Sequence, residues 1–164
     1  CSTGEEAYTL AMLMKEKADQ TVGQQDFWTI HATDINTQVL QLAQKGIYRQ
    51  RAVREVPNIY LQRYFRRLED RFEVVPELKR YVRFYHLNLV DRDQMGTMRH
   101  FDVIFCRNVL IYFDDTARRN VALYFHKALR DGGFVFFGHA EFMGAIVPGF
   151  KPRKFSGGVI YQKV

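Results

Sequence analysis

Four short stretches of this 164-residue chain hold polar side chains where an α/β sheet would present them to a ligand. They are residues 2–6, Asp34, Asn88 with Leu89, and residues 106–108. In an open α/β sheet, ligands settle beyond the carboxyl ends of the strands. Ser2, Thr3 and Gly4 make a tight turn at a helix start, where backbone N–H groups point out from the positive helix end. Glu5 and Glu6 follow at once. Their charge repels phosphate and suits a cationic ligand or hydroxyl groups. Glu5 reads as a complement to the helix macrodipole, and Glu6 as a candidate ligand. Asp34 closes the next strand, which places a carboxylate to take both ribose hydroxyls of a nucleoside. Its structural alternative is to cap the following helix, a task that Asn36 or Thr37 can perform instead. The turn is not Gly-x-Gly-x-x-Gly, so a single nucleoside fits it better than a dinucleotide.

The stretch from Phe101 to Asp114 carries the most chemistry. Arg107 and Asn108 directly follow an apolar strand ending at Cys106, where polar groups are costly unless they face a site. Tyr112, four residues beyond Asn108, shares that rim if the chain turns into a helix. The bland alternative pairs Arg107 with a carboxylate and buries Tyr112 in the core.

These residues need elements to hold them. Ala7, Leu10, Ala11 and Met14 recur at helical spacing, giving a helix of about three turns after Gly4. Residues 27–32 read as a buried strand and residues 37–44 as a short helix ended by Gly46. Pro57 opens a helix with Ile59, Leu61, Tyr64 and Phe65 as its apolar positions. Residues 72–75 and 78–84 read as an antiparallel pair around Pro76 and Glu77, so that 46–81 forms a small basic insertion. The alternation resumes with strands at 82–87 and 101–106 and a helix over 115–129. Asp131, Gly132 and Gly133 signal a turn before a strand at 134–137. A closing strand over 159–164 pairs antiparallel with 150–155. The pattern predicts an α/β fold with a parallel sheet, as one domain over 1–164.

The net charge is +6. Residues 45–86 hold eleven Lys or Arg against five Asp or Glu, and the rest of the chain is balanced. A concentrated positive field attracts an acidic partner, whereas a solvated face with no partner gives the same count. No apolar run approaches the roughly 18 residues of a membrane span. No signal-peptide pattern is present, and the two cysteines make no disulfide framework, so a cytoplasmic location is the expectation. No metal site is suggested. His139 and Glu141 read as structural or rim residues, Trp28 as core, and residues 95–98 as a surface loop.

The motifs together resemble the CheR chemotaxis methyltransferases. Those that match are Cys-Ser-Thr-Gly-Glu-Glu-Ala-Tyr at 1–8, Ala-Thr-Asp-Ile-Asn at 32–36, Gly-Ile-Tyr-Arg at 46–49 and Asn-Leu at 88–89. Cys-Arg-Asn-Val-Leu-Ile-Tyr-Phe at 106–113 and Phe-Gly-His-Ala-Glu at 137–141 complete the set. The resemblance implies a Rossmann-like class I methyltransferase sheet with a small antiparallel β-subdomain inserted at 46–81. It implies S-adenosylmethionine as cofactor, and methyl transfer to glutamate side chains on the acidic helical face of a chemoreceptor's cytoplasmic domain. Glu6 and Asp34 would contact the amino and ribose parts of the cofactor, and Asn88 and Leu89 would frame the adenine. Cys106, Arg107 and Asn108 would line the methionine moiety, and Tyr112 would stand beside the departing methyl group. Arg107 or another cation would orient the substrate glutamate.

Two departures qualify the expectation. The sequence opens at the glycine turn, so the family's first sheet strand and N-terminal helical domain, with a catalytic Arg, are not among these residues. Residues 66–72 lack the Gly-rich loop with which some members hold a receptor's C-terminal pentapeptide, which predicts absent or weak tethering. Competing readings are a domain that binds the cofactor without transfer, and a nucleic-acid methyltransferase. Against the latter, no Asn/Asp-Pro-Pro-Tyr motif stands near Asn108.

Overall fold

The computed structural model describes residues 1–21, 28–138, 149–155 and 157–164. They form two compact units, Cys1–Leu87 and Asn88–Val164.

The first unit opens with helix α1 (Glu5–Asp19), which buries Ala7, Tyr8, Ala11 and Met12. The buried stripe is rotated from the expected one: Met14 is 43% exposed and Tyr8 only 2%. Tyr8 goes inside because its hydroxyl donates to the Ala43 carbonyl at 3.0 Å, satisfying the polar tip of a large apolar side chain. Strand β1 (Ile30–Asp34) pairs in parallel with β5 (Val82–His86), with Asp34 opposite His86. Phe27, where the expected strand begins, lies outside the described residues.

Between these strands run α2 (Thr37–Lys45), β2 (Ile47–Arg49), α3 (Gln50–Val53) and α4 (Asn58–Tyr64). They are followed by β3 (Phe65–Leu68), β4 (Arg71–Val74) and the short α5 (Pro76–Lys79). Helix α2 stops at Gly46, whose φ of 61° lets its N–H reach the Leu42 carbonyl at 3.1 Å. Strands β2, β4 and β3 make an antiparallel sheet in that order. This corrects the expected pairing of 72–75 with 78–84. Pro76 starts a helical turn that buries Leu78, β4 pairs with β2 and β3, and β5 returns to the parallel sheet. Phe65 likewise leaves the expected helix and begins β3. Ala32, Tyr48, Tyr64, Val74 and Leu78 close one core with α1.

The second unit holds α6 (Arg92–Gly96), β6 (Phe101–Cys106), a single 3-10 turn (Leu110–Tyr112) and α7 (Asp115–Ala128). Strands β7 (Leu129–Phe137), β8 (Phe150–Phe155) and β9 (Gly158–Lys163) complete it. The sheet order is β6-β7-β9-β8, with β6 parallel to β7 and the remaining pairs antiparallel. The Asp131-Gly132-Gly133 turn lies inside β7 instead of before it. The register jumps there from Phe101 opposite Leu129 to Val103 opposite Phe134, and Gly132 takes a φ of 75°. Residues 95–98 are not a surface loop throughout, since Met95 is 3% exposed within α6. Trp28 packs against the core of the first unit and stacks on Tyr81, with ring centroids 4.3 Å apart.

Candidate functional site

One group of candidate residues lies in the first unit, at the turn before α1 and the tip of β1. Gly4 has a φ of 92°, and its N–H donates to the Cys1 carbonyl at 3.0 Å. A β-carbon at Gly4 would stand 2.9 Å from the Ala43 β-carbon and 3.1 Å from the Tyr48 hydroxyl. Backbone conformation and crowding therefore both require glycine. Tyr48, a buried residue of β2, donates its hydroxyl to the Thr3 carbonyl at 2.8 Å and so anchors the turn. Burial, with the Glu5 charge and Tyr8 adding to it, pushes the Tyr48 phenol far up, so it acts only as a neutral donor.

Asp34 takes N–H bonds from Ser2 at 2.8 Å and from Asn36 at 3.0 Å. The Cys1 amino nitrogen also lies 3.2 Å from it. Burial pushes the Asp34 carboxyl up, the N–H groups of Asn36 and Ser2 pull it down, and its pKa lies below the ordinary value. The side chain that caps α2 is Asn36, which accepts from the N–H groups of Gln38 and Val39. Asp34 is thus spared that task. It is an oriented, ionised carboxylate at a strand tip, suited to accept from vicinal hydroxyls. Glu5 is engaged locally by the Thr3 hydroxyl, at 2.7 and 2.8 Å from its two oxygens. Glu6, half-buried in the first turn of α1, is not part of that contact.

The other candidates belong to the second unit. Asn88 directly follows the β5 tip in sequence, and its side-chain oxygen accepts the Val90 N–H at 3.2 Å. Gln94 accepts the Asn88 N–H at 3.0 Å and donates to the Asp91 carboxylate at 2.7 Å. Asp91 also caps α6. Asn88 and Leu89, both half-buried, therefore sit in a pinned loop. Gln94 went unnoticed in the sequence, although Asp91-x-x-Gln94 has the spacing of a capping box. Tyr48 was missed for another reason: a buried aromatic gives no sign of which carbonyl its hydroxyl will reach.

Cys106 ends β6 and is 4% exposed, while Arg107 and Asn108 beyond it are exposed. Asn108 adopts a φ of 58°, the left-handed conformation that asparagine tolerates. The chain then enters the 3-10 turn, held by Arg118 Nε donating to the Leu110 carbonyl at 2.9 Å. Tyr112 is 81% exposed, which excludes core packing for it. Asp114 caps α7 through the Ala117 N–H at 2.8 Å. His139 and Glu141 lie outside the described residues. Among the described residues, no cluster of three or more His, Cys, Asp or Glu is placed to hold a metal, and no helix is long and apolar enough to cross a membrane.

Residues 1–156 match the family described as CheR methyltransferase, SAM binding domain. The chain is 38% identical to chemotaxis protein methyltransferase 2 of Vibrio cholerae over 164 residues, covering 99% of this chain and 56% of that protein. It is 40% identical to the chemotaxis protein methyltransferase of Escherichia coli over 144 residues, covering 85% of this chain and 49% of that protein. The chain thus spans about half the length of these relatives. Among solved structures, TrmN of Thermus thermophilus aligns with a TM-score of 0.52 at 16% identity, over 96% of this chain and 49% of its own. The methyltransferase domain of bacterial CtHen1 aligns with a TM-score of 0.51 at 12% identity, over 99% of this chain and 87% of its own. Both likenesses concern the fold, a Rossmann-like class I methyltransferase sheet. S-Adenosylmethionine is the cofactor of this domain, and the oriented Asp34 carboxylate is an acceptor whose chemistry fits the hydroxyls of its ribose. The chain belongs to the CheR methyltransferase family, and its residues 1–156 match the family's S-adenosylmethionine-binding domain.

Proposed function

We propose that the protein carrying this chain methylates glutamate side chains on the cytoplasmic helices of a chemoreceptor, giving methyl esters. The observation that carries the reading is Asp34, ionised, released from capping duty and held by Ser2 and Asn36 at a strand tip. That geometry joins the identity to named chemotaxis methyltransferases.

In this reading Asp34 accepts from the ribose hydroxyls and Glu6 from the cofactor's amino group. Asn88 and Leu89 frame the adenine, and Cys106, Arg107 and Asn108 line the methionine portion. When bound, S-adenosylmethionine would supply an electrophilic methyl on a sulfonium for the carboxylate oxygen, with S-adenosylhomocysteine as the leaving thioether. A glutamate with a reference pKa of about 4.3 is already ionised at neutral pH, so no residue of the chain need remove a proton. The work left to the protein is orientation and exclusion of water. Arg107 supplies a guanidinium to orient the incoming carboxylate. Tyr112, exposed on its 3-10 turn, supplies a phenol beside the transferring methyl.

The β3–β4 hairpin turns through Glu69 and Asp70 alone, too short for a peptide-cradling loop. Docking independent of a receptor's C-terminal pentapeptide follows, and no binding of that peptide at micromolar concentration is expected. The main test uses the full-length protein, labelled cofactor and a receptor cytoplasmic fragment. Base-labile label on glutamate supports the reading. Tight S-adenosylhomocysteine binding without transfer would replace it with a binding module, and label on RNA would replace it with a nucleic-acid enzyme.

A further inference from the structure

The outer face of the β2-β4-β3 sheet carries positive charge where sheet energetics disfavour it. Tyr48 and Val74 are buried, which fixes the inner face. Alternation then turns Ile47, Arg49, Arg66, Leu68, Arg71 and Glu73 outward. The register sets Arg49 directly opposite Arg71, a like-charge pair that destabilises an antiparallel ladder. Arg66 stands opposite Glu73, the one carboxylate among these six residues. Glu73 is engaged by Lys79 Nζ at 3.0 Å, which also donates to the Lys45 carbonyl at 2.6 Å. Arg71 meets only Asp70, at 3.7 Å and well exposed. Arg49 and Arg66 make no ion pair with any described residue. Ile47 and Leu68, on the two edge strands, are 39% and 37% exposed.

We propose that this face docks an acidic amphipathic helix of the methyl-accepting protein, through residues other than those assigned to the cofactor. The proposal rests on the functional reading above for the identity of the partner. Three guanidinium groups present planar forks to carboxylates, and that match favours clustered Glu or Asp over an isolated charge. The flanking Ile47 and Leu68 fit apolar side chains of an amphipathic helix, which a phosphodiester backbone does not offer. Repulsion between Arg49 and Arg71 is relieved when carboxylates arrive between them.

The test measures binding of the full-length protein to a receptor cytoplasmic fragment without cofactor, across a salt series. The triple variant Arg49→Gln, Arg66→Gln, Arg71→Gln is expected to weaken binding about tenfold or more and to flatten its salt dependence, with S-adenosylhomocysteine affinity unchanged. Arg71→Gln alone should raise Tm by about 1–2 °C while weakening the fragment, a combination that a misfolded variant cannot give. Unchanged fragment affinity in the triple variant overturns the proposal, as does a loss confined to RNA or to anionic vesicles. Arginine-dependent binding without methyl transfer by the wild type would sink the catalytic reading and leave this surface standing. Normal transfer with arginine-independent binding would do the reverse.

Discussion

At the scale of single residues, Asp34 and Tyr112 make opposite kinds of prediction. Asp34 holds two backbone N–H groups, so Asp34→Asn removes charge-assisted bonds from the fold as well as an acceptor from the ligand. Bonds to a charged acceptor contribute about 1.5–3 kcal/mol, and partial exposure puts this case at the lower end. Because its folded pKa is depressed, this contribution is present above the unfolded value near 4 and is lost as pH falls through the folded one. Urea midpoints for wild type and Asp34→Asn should therefore differ by a constant amount from neutral pH down to about 5 and converge at still lower pH. Tyr112 is exposed, so Tyr112→Phe should leave Tm unchanged. It should slow methyl transfer about tenfold, or about 1.4 kcal/mol of barrier, as read from single-turnover rates. The capping alternative for Asp34 was visible in the sequence, and in the structure Asn36 takes that cap. The alternative to an active Tyr112 required knowing its exposure, which spacing does not report.

At the scale of elements, the parallel strands and their order in the chain could be read from periodicity, while the pairing inside the small sheet could not. Residues 78–84 contain enough β-branched and aromatic side chains to look like one strand. Pro76 at a first helical turn was the contrary sign, and burial of Leu78 decided in its favour. The Asp131-Gly132-Gly133 turn was located correctly but divides a strand instead of preceding one. Local turn chemistry cannot tell whether pairing resumes on the same neighbour. The turn before α1 gives the prediction proper to this scale. Gly4→Ala should cost at least about 1–2 kcal/mol from its left-handed backbone, with the Ala43 contact adding to it. A lowered Tm together with weaker S-adenosylhomocysteine binding is the expected outcome, measured by calorimetry on the same sample.

At the scale of the whole molecule, the placement of charge matters more than any one contact. The chain's net positive charge resides in residues 45–86, and screening acts over about 8–10 Å at physiological salt, so the acidic partner and not the cofactor should feel ionic strength.

The Tyr48 phenol ends in the carbonyl of Thr3 while its ring lies under the small sheet that carries the arginines. If both proposed seats hold, one side chain joins them, and linkage makes any such influence mutual: whatever one occupant does to the other's affinity is returned by the same factor. Receptor fragment should change S-adenosylhomocysteine affinity in the wild type and lose that effect in Tyr48→Phe, as followed by calorimetric titration in both orders of addition.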